Sequence, residues 1–205
     1  MENIIQQVDS IFLFIIAISA GLLLLITLLM IIFIFKYHKN KHPQAIDTHE
    51  HPFLEITWTV IPTILVLCMF YYGMIGYNNM RNPPKDSFVI KVTGRQWEWG
   101  FEYPNTKKTK ELYVPQNKPI KLLMTSLDVI HSFFIPAFRV KMDLMPGRET
   151  FIWFKAEKLG DYDVFCAEYC GLLHSKMLSK VHVMDEQKFN NWYVTNEEVK
   201  NETNH

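Results

Sequence analysis

Two long uncharged apolar runs constrain this chain more than any other feature of its sequence. Residues 11–35 and 58–77 contain no Asp, Glu, Lys or Arg. As helices rising 1.5 Å per residue, the runs would be roughly 37 and 30 Å long, which is enough to cross a hydrocarbon core of about 30 Å. The sequence therefore predicts two transmembrane helices, and a purely soluble protein is excluded.

The flanks of the first run predict a retained helix and its orientation. Residues 1–10 contain no Lys or Arg, and the apolar run of 25 residues is too long for the h-region of a signal peptide. The connection at residues 36–57 opens with Lys36, Lys39 and Lys41. The positive-inside rule then places this loop in the cytoplasm and both termini on the opposite side. Pro62 is expected in about the first turn of the second helix, where it does not break the span.

Four of the eight histidines lie in this loop or beside it, and they could suggest a metal cluster. No cysteine accompanies them, and the segment is polar and interrupted by proline. A solvated loop is the simpler interpretation. The four residues are His38, His42, His49 and His51.

The remaining composition is that of an ordinary soluble domain. The 21 basic residues balance the 21 acidic ones, so no surplus of positive charge indicates nucleic-acid binding. Three cysteines cannot form the disulfide framework that stabilises a small secreted fold. The sequence has no glycine-rich phosphate loop, nucleophile elbow or internal repeat, so nucleotide-dependent chemistry has no support.

Short strands separated by turn residues predict an all-β domain after the membrane part. We expect residues 1–81 to hold the two helices and their loop, and 82–205 to form a Greek-key sandwich or barrel that starts at a stiff Asn-Pro-Pro linker. A helix is expected over residues 185–196, and the lysines at 107, 108 and 110 are interpreted as a solvated turn. The predicted strands are 87–93, 96–103, 120–126, 150–154, 161–165 and 178–184.

A cluster of soft metal ligands lies between the last two predicted strands. Cys166, Cys170, His174 and Met177 fall within twelve residues. Thiolate, imidazole and thioether together favour copper, and a blue-copper site takes a further histidine from a distant strand, for which His131 is the strong candidate. The second thiol departs from a mononuclear site, because two thiolates can bridge two coppers. His131 and His174 would then each terminate one metal, with Met177 and a backbone carbonyl completing the set.

Other interpretations of this cluster stay open from the residues alone. Cys166 and Cys170 could form a disulfide in an oxidising compartment. The spacing could mark one face of a helix, although Gly171 favours a loop. A zinc site of two cysteines and two histidines is possible, but it leaves Met177 without a role. Cys68 is interpreted as helix surface, and His182 as a solvent-facing strand residue.

The chain resembles subunit II of the cytochrome c oxidases of the haem–copper superfamily, from the two spans through Trp192. The motifs that carry the resemblance are CxExCGxxHxxM at 166–177, DxxHS at 128–132, GRQWEW at 94–99, PGR at 146–148 and LEITWT at 54–59. The resemblance implies a cupredoxin domain holding the binuclear copper centre CuA. That centre takes electrons from a cytochrome c and passes them to haem in subunit I, where oxygen is reduced to water and protons are translocated.

The resemblance also implies roles for individual residues. The copper ligands would be His131, Cys166, the backbone carbonyl of Glu168, Cys170, His174 and Met177. Related quinol oxidases lack these ligands, so the complete set counts against quinol as donor. The Glu168 side chain would reach a magnesium at the boundary with subunit I, with Asp143 near the same region unless it is an ordinary surface carboxylate. Trp97 would be the residue through which electrons enter, whereas Trp99 could simply pack. Glu55 would lie at the mouth of a proton channel, the alternative being an interfacial charge.

The implied setting is a bacterial or mitochondrial inner membrane, with the copper domain on the periplasmic or intermembrane side. The partners would be membrane lipid, subunit I, other oxidase subunits and a cytochrome c. The alternative function is a membrane-anchored copper chaperone or storage protein, which would need neither Trp97 nor Glu55.

Relatives that bind a strongly basic cytochrome c present an acidic surface near the tryptophan. Here Glu102 and Asp128 remain, but residues 101–113 carry three lysines against two glutamates. We therefore expect a neutral or acidic donor, or one held nearby by a membrane anchor or supercomplex, unless the lysines project away.

Overall fold

The computed structural model describes residues 4–44 and 51–195. The described chain divides into two compact units, one of residues Gln6–Tyr77 and one that contains the chain from Asn78 onward. Two long helices, α1 (Ile4–Lys36) and α2 (Pro52–Arg81), confirm the two predicted apolar helices. Both are long and apolar enough to cross a membrane, and the apolar stretch of neither helix is buried inside the protein.

Both helices begin earlier than the uncharged runs. Pro52 is the first residue of α2, where its missing N–H is not needed, and the backbone amides of Leu54 and Glu55 donate to the His51 carbonyl. Glu55 therefore lies in the first helical turn, where a carboxylate is favoured by the helix dipole. The expectation that Pro62 falls near the first turn was wrong, since α2 continues through it as an interior residue.

Within the helical unit, a small residue lets the two helices approach closely. A Cβ added at Gly76 would lie 2.7 Å from Ile11 Cδ1. The rings of Phe14 and Tyr72 meet edge to face at 5.3 Å. Small residues at such contacts are typical of helices that pack in a membrane.

The second unit is a sandwich of two five-stranded sheets followed by a short helix, which confirms the predicted all-β fold. The sheet orders are β3-β2-β1-β5-β8 and β4-β10-β9-β6-β7. Strands β1 and β5 pair in parallel, as do β4 and β10. The elements are β1 (Phe88–Arg95), β2 (Glu98–Glu102), β3 (Lys108–Thr109), β4 (Leu112–Pro115), β5 (Pro119–Ser126), β6 (His131–Ile135), β7 (Val140–Leu144), β8 (Thr150–Lys155), β9 (Gly160–Cys166), β10 (Leu178–Met184) and α3 (Glu186–Val194).

The core lies between the two sheets and is built by alternating inward side chains. On β5, Ile120, Leu122 and Met124 are fully buried while their neighbours are not. Each such side chain contributes about 1.5–3 kcal/mol through burial. The rings of Phe101 and Trp99 meet Phe133 of the opposite sheet edge to face. This packing fixes the ends of the strands from which the site loops leave.

Four strands were not expected, namely β3, β4, β6 and β7. Strands β4 and β6 pair with the distant strands β10 and β9, whereas β3 and β7 are short strands that pair with their neighbours in the chain, β2 and β6. The expectation that the lysine cluster is solvated holds for Lys108 and Lys110, whose side chains are 75% and 84% exposed, but was wrong for Lys107. Lys108 is in the edge strand β3, and Lys107 Nζ donates to the carbonyls of Trp192 (2.6 Å) and Thr195 (2.8 Å).

His182 is a second correction, because it does not face solvent. Its side chain is only 12% exposed and hydrogen-bonds through Nδ1 to Asp161 (2.7 Å) and through Nε2 to Glu111 (2.8 Å). It also stacks on Tyr113 with ring centroids 4.6 Å apart. Pairing of β10 with β9 and β4 brings these groups together, which a single alternating strand cannot reveal. The predicted C-terminal helix is observed as α3, with the Asp185 side chain accepting from Lys188 N at 2.9 Å.

Candidate metal centre

Three connections of the sandwich build the candidate centre. They are the β1–β2 turn, the β5–β6 loop and the β9–β10 loop, the last of which carries residues 167–177. Strand β6 begins at His131 and β9 ends at Cys166, and their antiparallel pairing places Phe133 opposite Cys166. This register brings the distant histidine to the cysteine-bearing loop.

The six residues predicted as copper ligands converge. The sulfurs of Cys166 and Cys170 lie 3.8 Å apart, and both residues are free thiols, so no disulfide joins them. The Cys166 sulfur donates to the Glu168 carbonyl at 3.3 Å. Met177 is fully buried, with its sulfur 3.8 Å from that of Cys170. The loop is irregular apart from one 3₁₀ turn at His174–Lys176, as the glycine predicted.

Each thiol contacts one of the two histidines. His131 Nδ1 lies 3.9 Å from the Cys166 sulfur, and His174 Nδ1 lies 3.6 Å from the Cys170 sulfur. His131, Cys166 and Cys170 also form a group whose ligand atoms all lie within 4.8 Å of one another. Two ligands bound to one metal at about 2.0 and 2.3 Å with tetrahedral angles are about 3.5 Å apart. The observed separations therefore fit ligands that share metals, and the soft donors are consistent with copper.

Burial controls the protonation of Cys170. Removal from solvent, followed by the hydrogen bond with Cys166, raises the pKa of Cys170 to about 11. Without a metal this thiol is protonated at neutral pH. Because metals bind the thiolate, metal binding must displace the proton.

A carboxylate outside the ligand set orients His131. Asp128 Oδ1 accepts from His131 Nε2 at 2.8 Å and from Val129 N at 2.7 Å, while its Oδ2 accepts from Gln96 N at 2.7 Å. Burial raises the pKa of Asp128, but the hydrogen bonds from Gln96 and His131 outweigh it and the net shift is downward. The carboxylate thus keeps the His131 proton on Nε2 and leaves the Nδ1 lone pair facing the thiol.

Trp97 lies against the ligand loop, beside Cys170. It occupies the two-residue turn between β1 and β2. A Cβ built at Gly171 would lie 3.3 Å from the Trp97 ring and 3.0 Å from Gln96 Nε2, and Gly171 has φ +121°. Position 171 therefore favours glycine both for conformation and for space. Trp99, in contrast, is buried, and its ring lies 6.0 Å from that of His131.

The other predicted side chains contribute no atom to this group of ligands. The side chains of Glu55 and Glu168 are exposed, and Cys68 is exposed on α2 as expected. Asp143 is half-buried and accepts from the buried Ser132 hydroxyl at 2.7 Å, so it is not an ordinary surface carboxylate. His49 lies outside the described residues.

Sequence reasoning missed the roles of Asp128, Gln96 and Gly171. The only available signal for them was their place inside the quoted motifs.

Known proteins match both parts of the chain. The family described as "Cytochrome C oxidase subunit II, transmembrane domain" matches residues 1–74, and "Cytochrome C oxidase subunit II, periplasmic domain" matches residues 107–184. Cytochrome c oxidase subunit 2 of Cereibacter sphaeroides is 31% identical, over 87% of this chain and 72% of the relative. Alternative cytochrome c oxidase subunit 2 of Bradyrhizobium diazoefficiens is 29% identical, over 77% of this chain and 68% of the relative.

Among solved structures, the sandwich is similar to the periplasmic domain of subunit II of cytochrome oxidase (CoxB) of Bradyrhizobium japonicum. The TM-score is 0.52 and the identity 36%, over 54% of this chain and 94% of that one. Matches to both the membrane and the periplasmic domain of an oxidase subunit do not favour a copper chaperone or storage protein. The chain therefore belongs to the cytochrome c oxidase subunit II family, the membrane-bound subunit through which electrons enter a multi-subunit haem–copper oxidase.

Proposed function

We propose that this chain holds a binuclear CuA centre and uses it to pass electrons from a c-type cytochrome to haem in subunit I, where oxygen is reduced. The observation that carries the proposal is the order His131, Cys166, Cys170, His174, in which each thiol contacts the other thiol and one histidine. His131, Cys166, Cys170 and His174 would hold the two coppers, together with Met177 and the Glu168 carbonyl. When bound, such a centre accepts and releases one electron shared by both metals.

In this function the fold holds the ligand side chains in position before the metal binds. His131, Cys166, Cys170 and Met177 are all buried. These ligands come from the start of β6, the end of β9 and the β9–β10 loop. The pairing of β9 with β6 and β10 fixes the positions of the strands from which the loop leaves. A preorganised, dry ligand set limits rearrangement when the charge of a site changes. A zinc site of two cysteines and two histidines is less well supported, because His174 lies outside the compact group formed by His131 and the two thiols.

Trp97 is the proposed route for electrons from the donor. It lies next to Gly171, the residue that follows Cys170. The neighbouring loops expose large apolar side chains, including Leu127 (67% exposed), Tyr169 (77%) and Leu172 (86%). Large exposed apolar side chains on the loops that carry and flank a buried ligand set favour a docking surface for another protein.

The charges beside this surface support a donor that is not strongly basic. Glu98 pairs with Arg95 and with Lys110, the latter at 3.1 Å, and Glu102 pairs with Lys108 at 3.6 Å. The hydrogen bond from Lys110, then that from Arg95, lowers the pKa of Glu98. Two of the three lysines thus neutralise glutamates and only Lys107 turns away, toward α3. Such a surface gives a basic partner little electrostatic steering, so a neutral, acidic or tethered cytochrome is the proposed donor.

Three further roles rest on the family resemblance. The α1–α2 loop would face the cytoplasm and the sandwich the periplasm or intermembrane space of an inner membrane. Glu55, in the first turn of α2, would lie at the mouth of a proton channel. The exposed Glu168 side chain would reach a magnesium at the boundary with subunit I.

Copper analysis and electron paramagnetic resonance of the full-length chain in detergent test the central proposal. The wild-type chain should bind two coppers and give a mixed-valence signal. Cys166→Ser should lose one or both metals, whereas Cys68→Ser, which removes an exposed thiol on α2, should behave as wild type. One copper per wild-type chain would contradict the proposal.

A further inference from the structure

Gln96 contacts one ligand residue of the candidate copper centre, Cys170, and the carboxylate that orients another, His131. Its side-chain Nε2 donates to the Cys170 carbonyl at 2.7 Å, and its backbone N–H donates to Asp128 Oδ2 at 2.7 Å. We propose that Gln96 is a positioning residue that holds the cysteine loop and His131 at the separation a binuclear centre needs. This inference rests on the proposed copper function.

The backbone of Gln96 acts on His131 through one intermediate carboxylate. Asp128 uses one oxygen for Gln96 and the other for His131 Nε2, at 2.8 Å. The orientation of the imidazole therefore depends on a carboxylate that is itself held by the β1–β2 turn. Partners of this kind set ring orientation and ligand basicity in metal sites.

The side chain of Gln96 acts on the other end of the centre. One backbone hydrogen bond, from Ala167 N to Ser132 O at 2.9 Å, anchors the start of the cysteine loop to β6, and another, from His174 N to Gly171 O at 3.1 Å, joins two residues inside the loop. The bond from Gln96 reaches the loop between these points, at the residue that supplies the second thiol. Losing it leaves the loop freer to move the Cys170 sulfur relative to Cys166.

Gln96 also links this positioning to Trp97. The two residues form one turn, and both lie against Gly171. A turn that fixes the Cys170 carbonyl therefore also fixes the ring proposed to receive the electron. Gln96 is itself exposed, so a substitution removes little buried surface and should leave the fold intact.

Two substitutions at Gln96 test the proposal in the full-length chain. Gln96→Met keeps the length of the side chain but removes the donor, and Gln96→Glu places an acceptor against the Cys170 carbonyl. Gln116 offers a matched control, because its Nε2 donates to the Glu157 carbonyl at 2.7 Å on another part of the domain. Gln116→Met and Gln116→Glu lose the same kind of bond without touching the centre.

The first readout needs no copper. In a Cys68→Ser background, the metal-free chain should be alkylated at Cys166 and Cys170 about fivefold faster in the Gln96 variants, the change expected in a local opening equilibrium when one ordinary hydrogen bond is lost. The Gln116 variants should react at the wild-type rate. Equal rates in all variants, or equal acceleration by both glutamines, would overturn the proposal.

The second readout is the copper signal together with the melting temperature. The Gln96 variants should show altered copper hyperfine splitting at an unchanged melting temperature, because the ligands shift while the sandwich stays folded. Unfolding of both Gln96 variants would mean that the residue serves folding and not ligand positioning. If the wild-type chain binds no copper at all, the proposed function fails, while the alkylation rates still decide what Gln96 does.

Discussion

Replacing Gly171 by alanine tests how closely Trp97 lies against the ligand loop. The new Cβ would lie 3.3 Å from the Trp97 ring and 3.0 Å from Gln96 Nε2, at a residue with φ +121°. The backbone conformation alone should cost about 1–3 kcal/mol for a residue with a side chain. The close contacts should add about 1–3 kcal/mol unless Trp97 rotates away.

Gly147→Ala is the matched control, because Gly147 has φ +70° but no atom within 4 Å of an added Cβ. It should cost only the backbone strain of about 1–2 kcal/mol. Thermal unfolding of the two metal-free variants gives the difference in stability. Stopped-flow reduction of the assembled oxidase should be slowed by Gly171→Ala and not by Gly147→Ala. Equal stability and equal reduction rates in the two variants would refute the contact between Trp97 and the loop.

Four further predictions use the same protein. Trp97→Phe should slow copper reduction by the bound donor more than it weakens docking, and a change in affinity alone would make Trp97 only a contact. Glu55→Gln should lower steady-state turnover while copper reduction stays intact, so unchanged turnover would return Glu55 to an interfacial charge. Burial raises the pKa of Cys170 to about 11, so the apparent copper affinity should rise with pH. The rise should be about tenfold per pH unit for each thiol proton that copper displaces. Copper titrations at about pH 6 and 8 that give equal affinity would contradict this. Reduction by a basic cytochrome c should depend weakly on ionic strength, because Glu98 and Glu102 are already paired; a steep fall with salt would show an acidic docking face.

The corrections to the sequence-based expectations share a physical cause. His182 alternates with two valines on its strand, which predicts a solvent-facing side chain, yet it is enclosed by Asp161 on the neighbouring strand β9 and by Glu111, the residue before β4. Lys108 and Lys110 are part of a polar segment, yet β3 pairs with β2 and brings them to Glu102 and Glu98. In each case the partner comes from another strand or from a residue beside one, so the alternation of consecutive residues within a single segment does not contain it.

The sequence by itself determined the two apolar helices, the sandwich class and the ligand loop. Hydropathy and alternation are properties of consecutive residues, and Cys166, Cys170, His174 and Met177 all lie in one short connection. Only the tertiary structure decided which thiol each histidine contacts, because His131 reaches Cys166 through the register of β6 on β9. It also decided the contacts of Gln96 with Asp128 and Cys170, which lie 32 and 74 residues away. Such contacts form only when strand pairing and core packing bring the loop ends together. They join residues that are close in the fold but far apart in the sequence, so local sequence patterns do not contain them.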